Sequence, residues 1–217
     1  MRKLILKMSV SIDGFVCGPN GEVDWIFRTM DDEVARWTME TLWDTDLHIM
    51  GRRTYQDMAA YWPTSKEPFA EPMNKIPKIA FSKRGFLDKP GIDSTTRAFK
   101  DAALFVKGSS EPEALQTDNK QEGNWADPQL LSGNLVEEIT GLKQMSGKNI
   151  LAHGGASFAQ SLAGFDLIDE YRLLFHPVAL GDGLPLFAAL PKPAYLKLID
   201  IVTFKGGSAA HVYQPVR

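Results

Sequence analysis

Two segments of this chain share a local pattern, without being a sequence repeat, that restricts the fold more than any other feature. Leu47-His48-Ile49-Met50 runs into Gly51-Arg52-Arg53-Thr54-Tyr55, and Asn149-Ile150-Leu151-Ala152 runs into His153-Gly154-Gly155 and then Ala156 to Leu162, closed by Gly164. Each apolar run is too short for a helix between its neighbours and reads as a buried strand, so each segment is a β-turn-α unit. Strands followed by packed helices pair in parallel and bury both faces.

The remaining chain fits around those units. Leu4 to Val10 is a strand-like run ending in Ser11-Ile12-Asp13-Gly14, and Cys17 to Glu22 is a loop of turn formers. Asp31 to Trp43 reads as an amphipathic helix with acidic residues at its start. Tyr61 to Pro77 holds Pro63, Pro68, Pro72 and Pro77 and is expected to be mostly irregular, ahead of a short strand from Lys78 to Ser82. Asn134 with Glu137 matches an N-cap and N3 pair at a further helix that Gly147 ends. Glu170 to Val178, Tyr195 to Phe204 and Ala209 to Val216 read as strands, the last two joined across Gly206-Gly207 as a hairpin. The expectation is a single α/β domain over residues 1–217, with a mostly parallel central sheet, flanking helices and an antiparallel C-terminal hairpin. A polar stretch near 109–124 is read as an insertion. Met39, Met50, Met58, Trp37 and Trp43 are assigned to core packing.

Composition narrows the function. With 24 Lys and Arg against 27 Asp and Glu, the net charge of -3 argues against a surface that neutralises nucleic-acid phosphates. Four scattered histidines and one cysteine, Cys17, give no metal-ligand spacing, so no metal site is expected. The absence of an apolar run of about 18 residues argues against a membrane span. The lone cysteine and the lack of a signal-peptide core after Met1-Arg2-Lys3 lead to the expectation of a cytoplasmic protein.

Three strand ends carry donors for an anionic ligand. Gly51-Arg52-Arg53-Thr54 joins a strand to a helix, where free N–H groups, the positive helix end and two guanidinium groups suit a phosphate; the alternative is a turn that the glycine merely permits, with one arginine paired to a surface carboxylate. Gly154-Gly155-Ala156-Ser157 lets a ligand lie against backbone at another helix start, or simply forms a tight turn. Ser82-Lys83-Arg84 follows a strand and offers cations for a 2′-phosphate, or a solvated face. Their coincidence is what an adenine dinucleotide phosphate would need. Asp13 and Trp25 flank the Gly18-Pro19-Asn20-Gly21 loop, where a carboxylate and a flat ring would meet a substrate; the alternative is a turn aspartate and a core tryptophan. Asp31 and Asp32 either orient substrate or cap their helix. Gly181 to Phe187 borders the pocket or only shapes the connection to the hairpin.

The ordered set Ser11 to Phe15, Gly51 to Tyr55, Phe81 to Lys83, Gly154 to Ser157, Asp169-Glu170, Pro177-Val178 and Leu180 to Gly183 resembles stand-alone proteins similar to the C-terminal reductase domain of the bifunctional riboflavin-biosynthesis deaminase-reductase. The resemblance implies a dihydrofolate reductase-like fold, NADPH as hydride donor, a small-molecule substrate and a homodimer. It places Gly51, Arg52, Arg53 and Thr54 at the cofactor phosphates, Ser82 and Lys83 near the adenosine end, Gly154, Gly155, Ala156 and Ser157 at the pyrophosphate, and Asp13 and Trp25 beside nicotinamide and substrate as the catalytic pair. The sequence carries none of the zinc-ligand spacing of the deaminase half, so the expectation is not the bifunctional enzyme. The expected activity is NADPH-dependent reduction of a small heterocyclic or carbonyl/imine substrate, such as the 5-amino-6-(5-phosphoribosylamino)uracil of riboflavin biosynthesis. Dihydrofolate reduction and a non-catalytic nucleotide-binding module are the alternatives.

Overall fold

The computed structural model describes residues 1–83, 125, 128–188 and 190–217. The polar stretch near 109–124 and Arg84 lie outside them. Ten strands are described: β1 (Leu4–Ser11), β2 (Phe15–Cys17), β3 (Thr45–Gly51), β4 (Lys78–Phe81), β5 (Gln129–Leu131), β6 (Asn149–Ala152), β7 (Glu170–His176), β8 (Leu184–Pro185), β9 (Leu196–Thr203) and β10 (Ala209–Pro215). Five α-helices accompany them: α1 (Asp32–Trp43), α2 (Arg52–Tyr61), α3 (Ala70–Lys75), α4 (Leu135–Gln144) and α5 (Ala156–Gly164). Eight of the strands form one sheet in the order β5-β4-β3-β6-β1-β7-β10-β9, while β2 and β8 pair separately. Pairings from β5 across to β7 are parallel, and β10 is antiparallel to both β7 and β9. The mixed α/β sheet with its antiparallel C-terminal strands is thus the architecture that the strand and glycine pattern implies.

The core follows from strand alternation. Leu4, Leu6, Met8 and Val10 of β1 join one apolar cluster with Phe158, Ala159 and Leu162 of α5, whereas Ile5 joins a second with Leu42, Met50, Tyr55, Trp62 and Met73. Successive side chains of a strand point to opposite faces, so β1 divides helices between the two sides of the sheet. Capping residues set the helix starts. The Asp31 carboxylate accepts from the N–H groups of Glu33 and Val34, and the Asn134 side chain does the same for Val136 and Glu137.

Two expectations change. The proline-rich stretch 61–77 contains α3 and a 3-10 turn over Trp62–Thr64. Pro72 is tolerated because it stands in the first turn of α3, where an N–H has no partner within the helix. Trp43, assigned to the core, is 39% exposed at the end of α1. Trp37 does pack, edge-on against Phe204 at 6.3 Å.

One buried ion pair ties α4 to the start of β7. Lys143 Nζ lies 2.6 Å from Asp169 Oδ2 and donates to the Leu167 carbonyl at 2.8 Å, while Asp169 also accepts from Leu4 N–H and Arg217. Removing the carboxylate strands an ammonium that is 7% exposed. Asp169→Ala is therefore expected to cost about 3 kcal/mol of unfolding free energy, read from the urea midpoint at unchanged slope.

Candidate functional site

The two β-turn-α units meet because their strands are neighbours. β3 and β6 run parallel with Ile49 opposite Ala152, so the turns leaving them emerge side by side at one edge of the sheet. There the Gly51 N–H donates to the Gly154 carbonyl at 3.0 Å, and His153 N–H donates to Ile49 O at 3.0 Å. Glycine is required where these turns cross. Gly154 has φ +90°, and a Cβ on it would stand 2.7 Å from Met8 Sδ. At Gly155 a Cβ would stand 3.0 Å from Thr54 Oγ1, which brings the second turn against the first helical turn of α2.

A cavity of about 930 Å³ opens over this junction, near the top of the range of roughly 300–1,000 Å³ for ligand pockets. Gly51, Arg52, Arg53, Thr54, Ser82, Lys83, Gly155, Ala156 and Ser157 all line it, whereas Gly154 does not. Ser82 is placed by its N–H, which donates to Leu131 O at 3.0 Å and so brings the end of β4 beside β5. Helix α2 starts at Arg52 and α5 at Ala156, both without a side-chain cap, so two positive helix ends face the cavity wall. These observations test whether a phosphorylated dinucleotide fits. The donor set is cationic and amide-rich, and a Cβ at Gly154 or Gly155 would press on the Met8 or Thr54 side chain.

Asp13 and Trp25 stand elsewhere, neither of them lining this cavity. The Asp13 carboxylate accepts from Ser11 Oγ at 2.5 Å, from Gly181 N–H at 2.8 Å and from Leu180 N–H at 3.0 Å. The Ser11 hydroxyl, followed by the Gly181 amide, holds its pKa below the usual carboxylate value. It is a brace between the end of β1 and the loop after β7. Trp25 is 6% exposed, donates from its indole to Glu22 O at 3.2 Å and meets His176 edge-on at 5.2 Å. It lines a separate hollow of about 280 Å³ with Glu22, Asp24 and Arg28.

Asp31 and Asp32 do not line the large cavity either; Asp31 caps α1 and also accepts from Gly206 N–H at 2.8 Å. From α1 the cavity receives Thr38 and Leu42, neither of them a carboxylate. From the loop at 181–187 it receives Leu184.

The sequence reading missed Lys7, which lines the cavity from β1. The signal was present, as the one charge inside the apolar run Leu4 to Val10. Lys7 alternates with Ile5 and Ser9 toward the α1 side of the sheet, and desolvation by burial lowers its pKa to about 8. His153 lines the same wall, and burial, followed by the repulsion of Lys7, lowers its pKa to about 3, so it is neutral at pH 7. The start of α4 was also missed, with Ser132 to Val136 along the rim. Among the described residues no cluster of His, Cys, Asp and Glu could hold a metal, and no helix is long and apolar enough to cross a membrane.

The chain is 30% identical to the uncharacterized protein YyaP of Bacillus subtilis (strain 168), over 98% of this chain and 94% of that one. A protein from Shewanella sp. PV-4, assigned provisionally to riboflavin biosynthesis, has a structure that matches with a TM-score of 0.67 at 20% identity, over 99% of both chains. Dihydrofolate reductase from Enterococcus faecalis, solved with NADP(H), matches with a TM-score of 0.55 at 12% identity, over 99% of this chain and 97% of that one. These structural likenesses show the fold, which is dihydrofolate reductase-like. The family model for the RibD C-terminal domain matches residues 2–210, and the chain belongs to that family.

Proposed function

We propose that this protein is an NADPH-dependent reductase of a small heterocyclic or carbonyl/imine substrate. The observation that carries this reading is the Gly51 N–H to Gly154 carbonyl contact, which joins two uncapped helix starts and the end of β4 around one cavity. In this reading the amides of Gly155, Ala156 and Ser157 hold the pyrophosphate, Arg52, Arg53 and Thr54 hold phosphate oxygens, and Ser82 with Lys83 select the 2′-phosphate. When bound, the reduced nicotinamide supplies a hydride to the acceptor carbon.

The residues of the chain supply position and a proton. In this reading Lys7, which lines the cavity, gives a proton to the oxygen or nitrogen of the reduced double bond and regains it from solvent. Asp13 supports the site at a distance by fixing the Leu180-Gly181 backbone, and Trp25 by packing against His176. The homodimer belongs to the same proposal, with its surface on the edge strand β9, where Leu198, Ile199 and Ile201 are exposed. Light scattering is expected to give twice the chain mass of 24.1 kDa, and the monomer mass would remove that surface.

The cofactor assignment is tested by titrating the protein with NADPH and NADH while following cofactor fluorescence. NADPH is expected to bind at least about tenfold tighter, as one charge-assisted contact to the 2′-phosphate provides. Equal weak binding refutes the assignment. Gly155→Val should weaken NADPH by at least about tenfold, since its branched side chain enters the space in front of Thr54.

The role of Lys7 predicts a pH dependence. The ammonium is the active form, so kcat is expected to fall as pH rises through about 8. Lys7→Met should lower kcat and abolish that limb of the profile. An unchanged limb in the variant would assign it to another group.

A further inference from the structure

Two lysines stand on one face of the central sheet, and the cavity reaches one of them. Ile5 of β1 and Ala80 of β4 share an apolar cluster, so Lys7 and Lys78, each two residues away along its strand, face the same side. Lys78 is 4% exposed, donates from Nζ to the Ile76 carbonyl, lies 4.5 Å from the Trp125 ring centre and does not line the cavity. Lys7 does line it. Its strand is enclosed by β6 on one side and β7 on the other, so the partial exposure that Lys7 keeps is exposure to the cavity.

The surroundings of Lys7 favour its amine over its ammonium more than water does. Burial lowers its pKa to about 8, which leaves roughly a tenth of it as free amine at pH 7, against a few parts in about ten thousand for a solvated lysine. His153 at the exit of β6 and His176 at the end of β7 lie within electrostatic reach of it, and burial, followed by the repulsion of Lys7, lowers their pKa values to about 3 and about 4. Both imidazoles are therefore neutral at pH 7 and do not hold the neighbouring ammonium charged. Phe27, Met30, Met58 and Phe69 line the same cavity. Rings and thioethers of this kind give an aromatic group surface to stack on.

We propose that Lys7 is a covalent capture site for aromatic aldehydes, which enter by the cavity and condense with its amine to a reversible imine. Nitrogen attacks the carbonyl carbon, a C–N bond forms as the C=O bond opens, and the two protons that the amine loses leave with the oxygen as water. Hydrolysis returns both partners. The step needs no oxidant, reductant or nicotinamide, and so goes beyond the reductase reading. One side chain serves both activities, since the ammonium is the proton donor and the amine is the nucleophile.

Benzaldehyde and sodium cyanoborohydride, added at pH 7 to the full chain without cofactor, test this, because the added hydride source turns any imine into a stable benzyl amine that peptide mass mapping assigns to its lysine. Lys7 is expected to be benzylated at least about tenfold faster than any solvated lysine, with the α-amino group of Met1 counted separately. Lys78 is the internal control. Burial lowers its pKa to about 7, further than that of Lys7, so equal or faster labelling of Lys78 would show that basicity decides rather than access through the cavity, and would overturn the proposal. An adduct spread evenly over exposed lysines, or no adduct, overturns it as well. Lys7→Arg should lose the adduct while keeping the far-ultraviolet circular dichroism of the parent, and the map of the unsubstituted protein decides even where that variant does not fold. An adduct at Lys7 in a chain that binds no NADPH upholds this proposal and removes the reductase reading; NADPH binding without an adduct does the reverse.

Discussion

The hydrogen bond from Gly51 N–H to the Gly154 carbonyl is the constraint on which the site depends. It is possible because β3 and β6 are adjacent and parallel, and because neither crossing residue carries a Cβ. Its consequence is that two helix N-termini, separated by about a hundred residues of chain, open onto a common space. Everything cationic at the rim follows from that placement, since Arg52 and Arg53 occupy the first turn of α2 and Lys83 the exit of β4. Helix ends provide fixed partial charges without the entropy of ordering long side chains, and the arginines add bidentate donors.

This rim was readable in the sequence for a simple reason. A short apolar run followed by glycine and a helix start has few folded solutions, and in a parallel sheet the turns that follow the strands lie on one edge. The wall opposite β1 was not readable in the same way. Met30, Met58, Trp62, Phe69 and Met73 come from the segment before α1, from α2, and from α3 with the turn leading into it, and their meeting depends on tertiary packing. Their composition alone gives core packing, which is how Met58 was assigned. Proline count hid α3, because prolines tolerated in a first helical turn look like breakers in a composition window.

Asp13 and Trp25 illustrate a different difficulty. Both are near the expected loop in order, but position along a chain does not decide which hollow a side chain enters. The Asp13 carboxylate turns to the backbone of Leu180 and Gly181, and Trp25 turns to His176. Lys7 is the converse case. A lysine in an apolar strand is costly unless its amine reaches water or a partner, and its register with Ile5 and Ser9 sends it into the cavity. Burial then brings its pKa near the range where proton transfer is useful, which links strand alternation to chemistry.

The central claim is that the two glycine turns act as one binding surface. Its most direct test is a crystal structure of the protein grown with NADP+. The account predicts continuous dinucleotide density with the pyrophosphate against the Gly155 to Ser157 amides and phosphate oxygens at Arg52 or Arg53. Density that contacts one turn and leaves the other facing solvent, or that lies in the hollow beside Trp25, would contradict it.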